Sequence, residues 1–145
     1  MCPLLFRHSK GIRAESILFR GRHTTNIQLA DTHFTRKALR ESSGADEGDF
    51  IVVHKDEVVA SGGLMLNYNF PYADIYMGVE ERFRGQGFGS YIVQELKKYA
   101  YAIGRVPAAR CNINNVVSHF TLLKAGFEVC GYRLTGDLQP GFLQA

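Results

Sequence analysis

Three glycines alternate with larger residues in the run Arg84-Gly85-Gln86-Gly87-Phe88-Gly89-Ser90, where a predicted strand gives way to a predicted helix. Glycine leaves room for a ligand to approach the backbone, and it adopts dihedral angles that other residues avoid. Such a loop can direct its N–H groups inward, and the following helix adds unpaired N–H groups and the positive end of its dipole. The run therefore predicts a pyrophosphate site, with Arg82 and Arg84 adding charge at its rim.

Two common phosphate-binding motifs do not fit this run. A Walker loop needs lysine and then serine or threonine after its last glycine, a region that Phe88 and Gly89 occupy here. A dinucleotide-binding fold has Gly-x-Gly-x-x-Gly after its first strand, whereas this chain has Gly85-x-Gly87-x-Gly89 after a hairpin and a further strand. The glycines could alternatively serve only to make a tight turn.

The run resembles the signature of the GNAT superfamily of N-acetyltransferases, which is Arg or Gln, two residues, Gly, one residue, and Gly or Ala. Arg84, Gly87 and Gly89 match this signature in place, and Val79 stands where the family's strand-end valine precedes the loop. The resemblance implies an α/β fold of the α+β type, in which a mixed, mostly antiparallel central sheet carries flanking helices, as in acyl-CoA N-acyltransferases.

A second segment is also similar to the family. Family members often carry Asn near the start of the next helix and end that helix with Lys-x-Gly-Phe, and Asn115 and Lys124-Ala125-Gly126-Phe127 match these features. In the family the asparagine contacts the cofactor arm, although a simple helix cap accounts for Asn115 nearly as well. The resemblance covers about residues 49–134, and the first third of the chain is only loosely similar.

The resemblance implies that acetyl-CoA is the co-substrate, that no metal takes part, and that the acetyl group passes directly to a primary amine. The strand end would hold the pantetheine arm as an added strand would, and the N–H near Val79 would polarise the thioester carbonyl. The implied cofactor contacts are Met77, Gly78, Val79, Arg84, Gly85, Gln86, Gly87, Phe88, Gly89, Ser90, Asn115 and Ser118. The alternatives are a degenerate acetyl-CoA-binding module or sensor without turnover, and a domain that has lost the cofactor.

The catalytic groups are less clearly marked. Many family members carry a proton-donating tyrosine four residues before the helix-ending glycine, but that position is Leu122 here, and leucine cannot donate a proton. Ser118, His119 or water would have to replace it. The amine must also lose a proton to a general base. The candidate bases, with Asp74 preferred, are Asp74, Tyr76, Tyr68, Glu80 and Glu81.

Hydrophobic patterning predicts the elements that position these residues. Strands are predicted at 50–54, 58–68, 73–79, 107–113 and 127–134, and helices at 89–103 and 116–124. A further helix is predicted at 31–42, whereas 11–22 fits either a helix or a strand. Because only 136–145 follows the last predicted strand, the family's closing strand would be missing, very short, or supplied by a second copy in a homodimer.

The same patterning assigns a face to each side chain. The buried stripe of the first helix is Ile92, Leu96, Tyr99 and Ile103, and its solvent side is Gln94, Glu95, Lys97 and Lys98. The buried side of the second helix is Val116, Val117, Phe120 and Leu123. One face of the 73–79 strand is Ala73, Ile75, Met77 and Val79. Gly62 and Gly63 suggest a bulge or a close backbone approach.

Composition fits one domain over 1–145, with a poorly patterned segment at 1–48 and a cofactor-binding core at 49–135. The chain is 46% hydrophobic with a net charge of +3, so it can form a core but has no dense basic block for nucleic acid. No apolar run reaches the roughly 20 residues of a membrane helix, and no secretory pattern begins the chain, so we expect a cytoplasmic protein. The odd number of cysteines indicates reduced thiols, with Cys111 and Cys130 as small core side chains.

Overall fold

The computed structural model describes residues 9–37, 49–67 and 70–138, and within these ranges it contains seven strands and two helices. The strands are β1 (Ser9–Gly21), β2 (Thr32–Arg36), β3 (Phe50–His54), β4 (Glu57–Met65), β5 (Tyr72–Val79), β6 (Val106–Asn112) and β7 (Phe127–Leu138). The helices are α1 (Phe88–Ala102) and α2 (Val116–Lys124), and a 3-10 turn at Glu81–Phe83 precedes α1. Neither α1 nor α2 combines the length and the apolar character that a membrane crossing requires.

The seven described strands form one sheet in the order β2-β3-β4-β5-β6-β1-β7. Neighbouring strands are antiparallel except β5 and β6, which are parallel and are connected through α1. A parallel pair requires a crossover of this kind, because a tight turn would return the chain antiparallel. The fold is therefore the mixed, mostly antiparallel α+β sheet with flanking helices that the resemblance implied.

β1 is the segment whose sequence fitted either a helix or a strand. It lies between β6 and β7 and pairs antiparallel with both, with three register shifts on the β7 side. The partner of the last described strand is thus a strand from the start of the same chain, a source that the sequence interpretation did not consider. Such long-range pairing leaves no local trace in the pattern of a single segment.

The helix predicted at 31–42 is wrong where the structure describes it. Thr32–Arg36 forms β2, which pairs antiparallel with β3. Phe34 stacks on Phe50 with ring centroids 5.0 Å apart, and the β-branched Thr32 and Thr35 suit a pleated surface. Pairing with β3 therefore overrides a weak helical pattern, while residues 38–42 lie outside the described ranges.

Both helices pack on the same face of the sheet. One core cluster joins α1 to β3 and β4 through Phe50, Val52, Val59, Ala60, Phe88, Ile92 and Leu96. The other joins both helices to β1, β6 and β7 through Ile17, Phe19, Val93, Ala109, Cys111, Leu122, Ala125 and Phe127. Ile75 and Met77 of β5 contact both clusters, as their predicted position on one face of that strand requires.

Gln94 and Lys97 of α1 are buried, with exposed fractions of 1% and 2%, so the prediction that they face solvent is wrong. The chain between β1 and β2 crosses the outer side of α1 and covers them. The Gln94 carboxamide accepts hydrogen bonds from the Ile27 N–H at 2.6 Å and the Thr25 hydroxyl at 2.7 Å, and it donates to the Ile27 carbonyl at 3.0 Å. The Gln94 carboxamide thus bonds to both the N–H and the C=O of Ile27, the two groups that a neighbouring strand would bind.

The buried ammonium of Lys97 donates to the carbonyls of His23, Ala125 and Gly126. It also lies 5.2 Å from the centroid of the Phe127 ring. Burial lowers the pKa of Lys97, and the three carbonyls compensate for the hydration that the ammonium loses. Lys97 therefore ties α1 both to the end of α2 and to the crossing segment.

The predicted buried face of α2 is also wrong. Its members are exposed by 60% at Val116, 78% at Val117, 65% at Phe120 and 38% at Leu123. Leu122 and Ala125 are buried instead, and His119 meets the Phe19 ring edge-on at 5.4 Å. Two adjacent stripes of this short helix are apolar. Contact with β1 and α1 determines which of the two stripes is buried.

Gly62 and Gly63 mark a close approach of β4 to β5, as predicted. A Cβ on Gly62 would stand 2.5 Å from the Tyr76 carbonyl oxygen, and one on Gly63 would stand 2.5 Å from the Tyr76 hydroxyl. The register shift in the β3–β4 pairing lies elsewhere, between Val52 and Val53.

The two cysteines in the described ranges differ in environment, and neither forms a disulfide. Cys111 is buried in the core as predicted. Cys130 is exposed on β7, so its prediction as a core side chain is wrong. The alternating faces of β7 make half of its residues accessible, whatever their hydropathy.

We expect Gly126→Ala to lower the free energy of unfolding by about 3 kcal/mol, and Gly104→Ala by about 1 kcal/mol. Both glycines end a helix with positive φ, 85° and 76°. A Cβ on Gly126 would also collide with the His23 carbonyl, whereas one on Gly104 would meet nothing within 4 Å. Urea denaturation measures both changes, and equal losses would contradict the close packing at Gly126.

Candidate functional site

A notch opens in the sheet where β5 and β6 diverge. The two strands pair only from Tyr72 to Asp74 of β5 and from Val106 to Ala108 of β6. Beyond these pairs β6 continues alongside β1, from Ala108 to Asn112. Among the described residues, no strand pairs with this side of β5 after Asp74. A stretch of strand edge from residue 75 to residue 79 is therefore open to a ligand.

The backbone of β5 directs hydrogen-bonding groups into this notch. The Glu80 amide, just past the end of β5, donates to the Val59 carbonyl of β4 at 2.8 Å. Hydrogen-bonded positions alternate along an antiparallel pair, so Gly78 bonds to β4 whereas Met77 and Val79 point their N–H and C=O groups away from it. Met77 and Val79 thus present a strand edge to the notch, whereas Gly78, which the resemblance named with them, directs its backbone groups to β4.

The glycine loop joins the end of β5 to α1. Gly85 and Gly87 adopt φ values of 77° and 89°, which side chains rarely tolerate. Gly87 is the N-cap of α1, and no side chain caps this helix. The first hydrogen bond of α1 runs from the Tyr91 N–H to the Gly87 carbonyl at 3.1 Å. The N–H groups at 88–90 precede that bond, so they are the unpaired donors of the helix N-terminus.

The glycines of this loop are required for different reasons. A Cβ on Gly87 would meet only ordinary contacts, 3.7 Å from Leu29 Cδ2 and 3.9 Å from Lys124 Nζ, so its positive φ is what demands glycine. A Cβ on Gly89 would stand 3.3 Å from Thr121 Cγ2, so there glycine permits α1 and α2 to approach each other.

The side chains of the loop are mostly directed away from a ligand. Phe88 is 3% exposed in the core and lies against Phe83 and His54. Ser90 is 5% exposed, and its hydroxyl donates to the Thr121 carbonyl at 3.3 Å. Gln86 and Gly85 are exposed. Backbone amides are therefore what most of this loop can offer to an anion.

Three cations lie near the loop, and the sequence interpretation named two of them. Arg84 is exposed, and its Nε donates to the Val79 carbonyl at 3.3 Å. Arg82 pairs with Glu57 at 2.8 Å and lies over the Phe83 ring, so it is engaged away from the loop. Lys124 was missed, although its ammonium lies beside Gly87. Its place at the end of α2 in Lys-x-Gly-Phe was the available signal.

Asn115 and Ser118 are brought together at the start of α2. The Asn115 Oδ1 accepts from the Ser118 N–H at 3.0 Å, so Asn115 caps this helix. Leu122, at the position of the family's tyrosine, is 6% exposed and belongs to the core cluster of α2. Leu122 therefore has no proton to donate, and its side chain is buried in the core.

Two of the candidate bases, Asp74 and Tyr76, lie on the opposite face of the sheet from Ser118. Ala73, Ile75 and Met77 face the helices, so the alternate residues Asp74 and Tyr76 face the opposite side. Burial, and then the charge of Asp49, raise the pKa of Tyr76. Glu80 and Glu81 are exposed at the mouth of the loop, and Tyr68 lies outside the described ranges.

Metal chemistry has no evident ligand set in the parts of the chain that the structure describes. No group of three or more His, Cys, Asp or Glu side chains there lies close enough together to hold an ion.

Several solved structures share this fold. An acetyltransferase of the GNAT family from Colwellia psychrerythraea matches 92% of this chain and 59% of its own length, with a TM-score of 0.74 and 19% identity. A putative GNAT acetyltransferase from Novosphingobium aromaticivorans DSM 12444 matches 86% of this chain and 65% of its own, with a TM-score of 0.64 and 14% identity. A GCN5-related N-acetyltransferase from Sphaerobacter thermophilus also matches 86% of this chain, at a TM-score of 0.64 and 14% identity.

This chain spans about half to two thirds of the length of these solved structures. A comparison with curated proteins found no match. The sequence model of the acetyltransferase (GNAT) family matches residues 18–127, which include β3 to β6, the glycine loop, both helices and most of the contacts described above. The chain therefore belongs to the acetyltransferase (GNAT) family.

Proposed function

We propose that this chain binds acetyl-CoA in the notch between β5 and β6 and transfers the acetyl group to a primary amine. The observation that carries this proposal is the junction of β5 with α1. There an open strand edge meets an uncapped helix N-terminus through two glycines of positive φ. A pyrophosphate suits the amides of such a terminus, and the amides of a pantetheine arm suit the edge of a strand.

Binding would engage the loop and the strand edge together. The N–H groups of 85–90 would surround the pyrophosphate, and Met77 and Val79 would hydrogen-bond the pantetheine arm. Arg84 Nε donates a hydrogen bond to the Val79 carbonyl. We expect the guanidinium to move to a phosphate when the ligand binds, which would free that carbonyl for the pantetheine arm. Asn115 has its oxygen committed to the helix cap, which leaves its NH₂ group for the arm.

Acetyl-CoA would supply the acetyl group as a thioester. As the amine nitrogen bonds to the carbonyl carbon, the carbon–sulfur bond breaks, the amine proton passes to a base, and the sulfur takes a proton from another donor. The Val79 N–H would stabilise the negative charge that develops on the carbonyl oxygen. With Leu122 apolar, water or Ser118 would protonate the sulfur.

Asp74 is the base that we favour. It stands on the sheet face opposite the helices, five residues or about 16 Å along β5 from Val79, so it would take the proton through a water chain from an amine entering by that face. Tyr76 lies on the same face, but its raised pKa keeps the phenol protonated at neutral pH. A protonated phenol can orient an amine by hydrogen bonding, but it cannot accept the proton.

Direct transfer is favoured over a covalent acetyl-enzyme. Cys111 is buried, and burial raises the pKa of its thiol, so the reactive thiolate is suppressed. Cys130 is exposed on β7, on the far side of β1 from β6 and the notch. The thiols of the described residues are thus poorly suited to carry the acetyl group.

An acetyl-CoA-binding module without turnover is a second candidate. The specific observation in its favour is Leu122, which fills the position of the family's proton donor and is 6% exposed. Incubation with acetyl-CoA and a panel of primary amines separates the two candidates, since only the enzyme releases CoA faster in the presence of an amine.

We expect Gly87→Leu to weaken acetyl-CoA binding at least about tenfold, which corresponds to about 1.4 kcal/mol. The side chain would strain a φ of 89° and cover the amides of the loop. Titration calorimetry measures the affinity. Gly104→Leu is the matched control, because it places the same strain at the other end of α1, and it should bind as the wild type does. Undiminished binding by the Gly87 variant would remove the main argument.

We expect Asp74→Asn to lower kcat about 100-fold, the usual contribution of a general base, while the Kd for acetyl-CoA stays the same. The measurement is CoA release with whichever amine the wild-type protein acetylates. Asp56→Asn is the control, since Asp56 lies in the exposed β3–β4 turn with a φ of 65° that asparagine also adopts. A kcat for Asp74→Asn close to that of the control would assign the base elsewhere.

A further inference from the structure

The side of α2 that borders the glycine loop is fixed by two contacts. The Thr121 methyl lies 3.3 Å from the point where a Cβ on Gly89 would stand, and the Lys124 ammonium lies 3.9 Å from the equivalent point on Gly87. Phe120 precedes Lys124 by four residues, so the two side chains are neighbours one helical turn apart. Phe120 therefore lies one helical turn before the cation nearest the loop.

Phe120 contributes little to the core. It is 65% exposed, and its ring lies 5.8 Å from that of His119. Val117, three residues earlier on the same side, is 78% exposed. Helical spacing places Val117, Phe120 and Lys124 in one stripe whose Lys124 end reaches the loop, so this stripe joins an apolar surface to a positive charge. Such a surface complements a flat aromatic group that carries phosphate, and it continues directly from the anion-binding amides of the loop.

We propose that Phe120 stacks against the adenine of acetyl-CoA and that Lys124 binds a phosphate next to it, so that α2 selects donors that carry the nucleotide. This inference rests on the proposed function, because it concerns the nucleotide end of the same ligand. Aromatic side chains stack on the face of a base without needing specific hydrogen bonds, and an ammonium forms charge-assisted hydrogen bonds with phosphate oxygens. In this arrangement the glycine loop binds the pyrophosphate, and the stripe binds the adenine and the phosphate next to it.

Ligand truncation combined with mutation tests this proposal. Titration calorimetry would compare acetyl-CoA with acetyl-pantetheine 4′-diphosphate, which keeps the pyrophosphate but lacks the 3′-phosphoadenosine, on the wild type, Phe120→Ala and Lys124→Gln. We expect the wild type to bind acetyl-CoA at least about tenfold more tightly than the truncated donor. Phe120→Ala should remove most of that difference, and Lys124→Gln should reduce both the difference and its dependence on salt.

Two controls separate the stripe from general effects. Tyr132→Ala removes an aromatic ring of 56% exposure from β7, and Lys55→Gln removes a positive charge from the β3–β4 turn. Both should retain the wild-type difference between the two donors. Equal affinity of the wild type for both donors, or a difference that survives in Phe120→Ala, would overturn the proposal while leaving acetyl-CoA binding intact.

Two further outcomes would also overturn it. If Phe120→Ala changes the oligomeric state on gel filtration without changing acetyl-CoA affinity, the stripe is a contact between copies of this chain. If the wild type binds neither donor, the proposed function fails together with this inference.

Discussion

The divergence of β6 from β5 is the constraint on which the site depends. A parallel neighbour that stayed in register would satisfy the backbone groups of Met77 and Val79 and leave nothing for a ligand to bind. β6 instead leaves after three residue pairs and follows β1, which is inserted between β6 and β7. Beyond Ala108, β6 pairs with β1 alone, which leaves the edge of β5 open after Asp74.

α1 holds this opening in shape. Its sheet side is apolar and packs on both core clusters, so its N-terminus is fixed relative to β5. Its outer side is unusual, because Gln94 and Lys97 are buried there and bond to backbone groups of the crossing segment and of the end of α2. Polar groups that are buried and fully paired specify one arrangement, since any shift would leave a donor or acceptor unsatisfied. The crossing segment then brings Leu29 against Gly87, next to the amides of the loop.

Local chemistry made the centre of this site predictable, and long-range pairing made the rest unpredictable. The strand, glycine loop and helix from Tyr72 to Ala102 follow from alternation, positive-φ glycines and helical periodicity, all of which act over a few residues. β1 and β2 could not be assigned in this way, because β1 pairs with strands about a hundred residues away and β2 takes its conformation from β3. The wrong predictions for Gln94, Lys97 and the buried face of α2 arose because hydrophobic periodicity did not identify the buried residues. α1 is covered on two sides, so polar residues are also buried, and α2 has two adjacent apolar stripes. Leu122 was identified from the sequence as a departure from the family, but its burial required the fold.

The central claim is that the junction of β5 and α1 is where acetyl-CoA binds. The most direct measurement is an NMR titration of isotope-labelled protein with acetyl-CoA, followed through the backbone amides. The account predicts that the largest shifts fall on Met77 and Val79 and on the amides of 85–90, with smaller ones at the start of α2. Saturable shifts that leave these amides unchanged and cluster elsewhere on the sheet would contradict it.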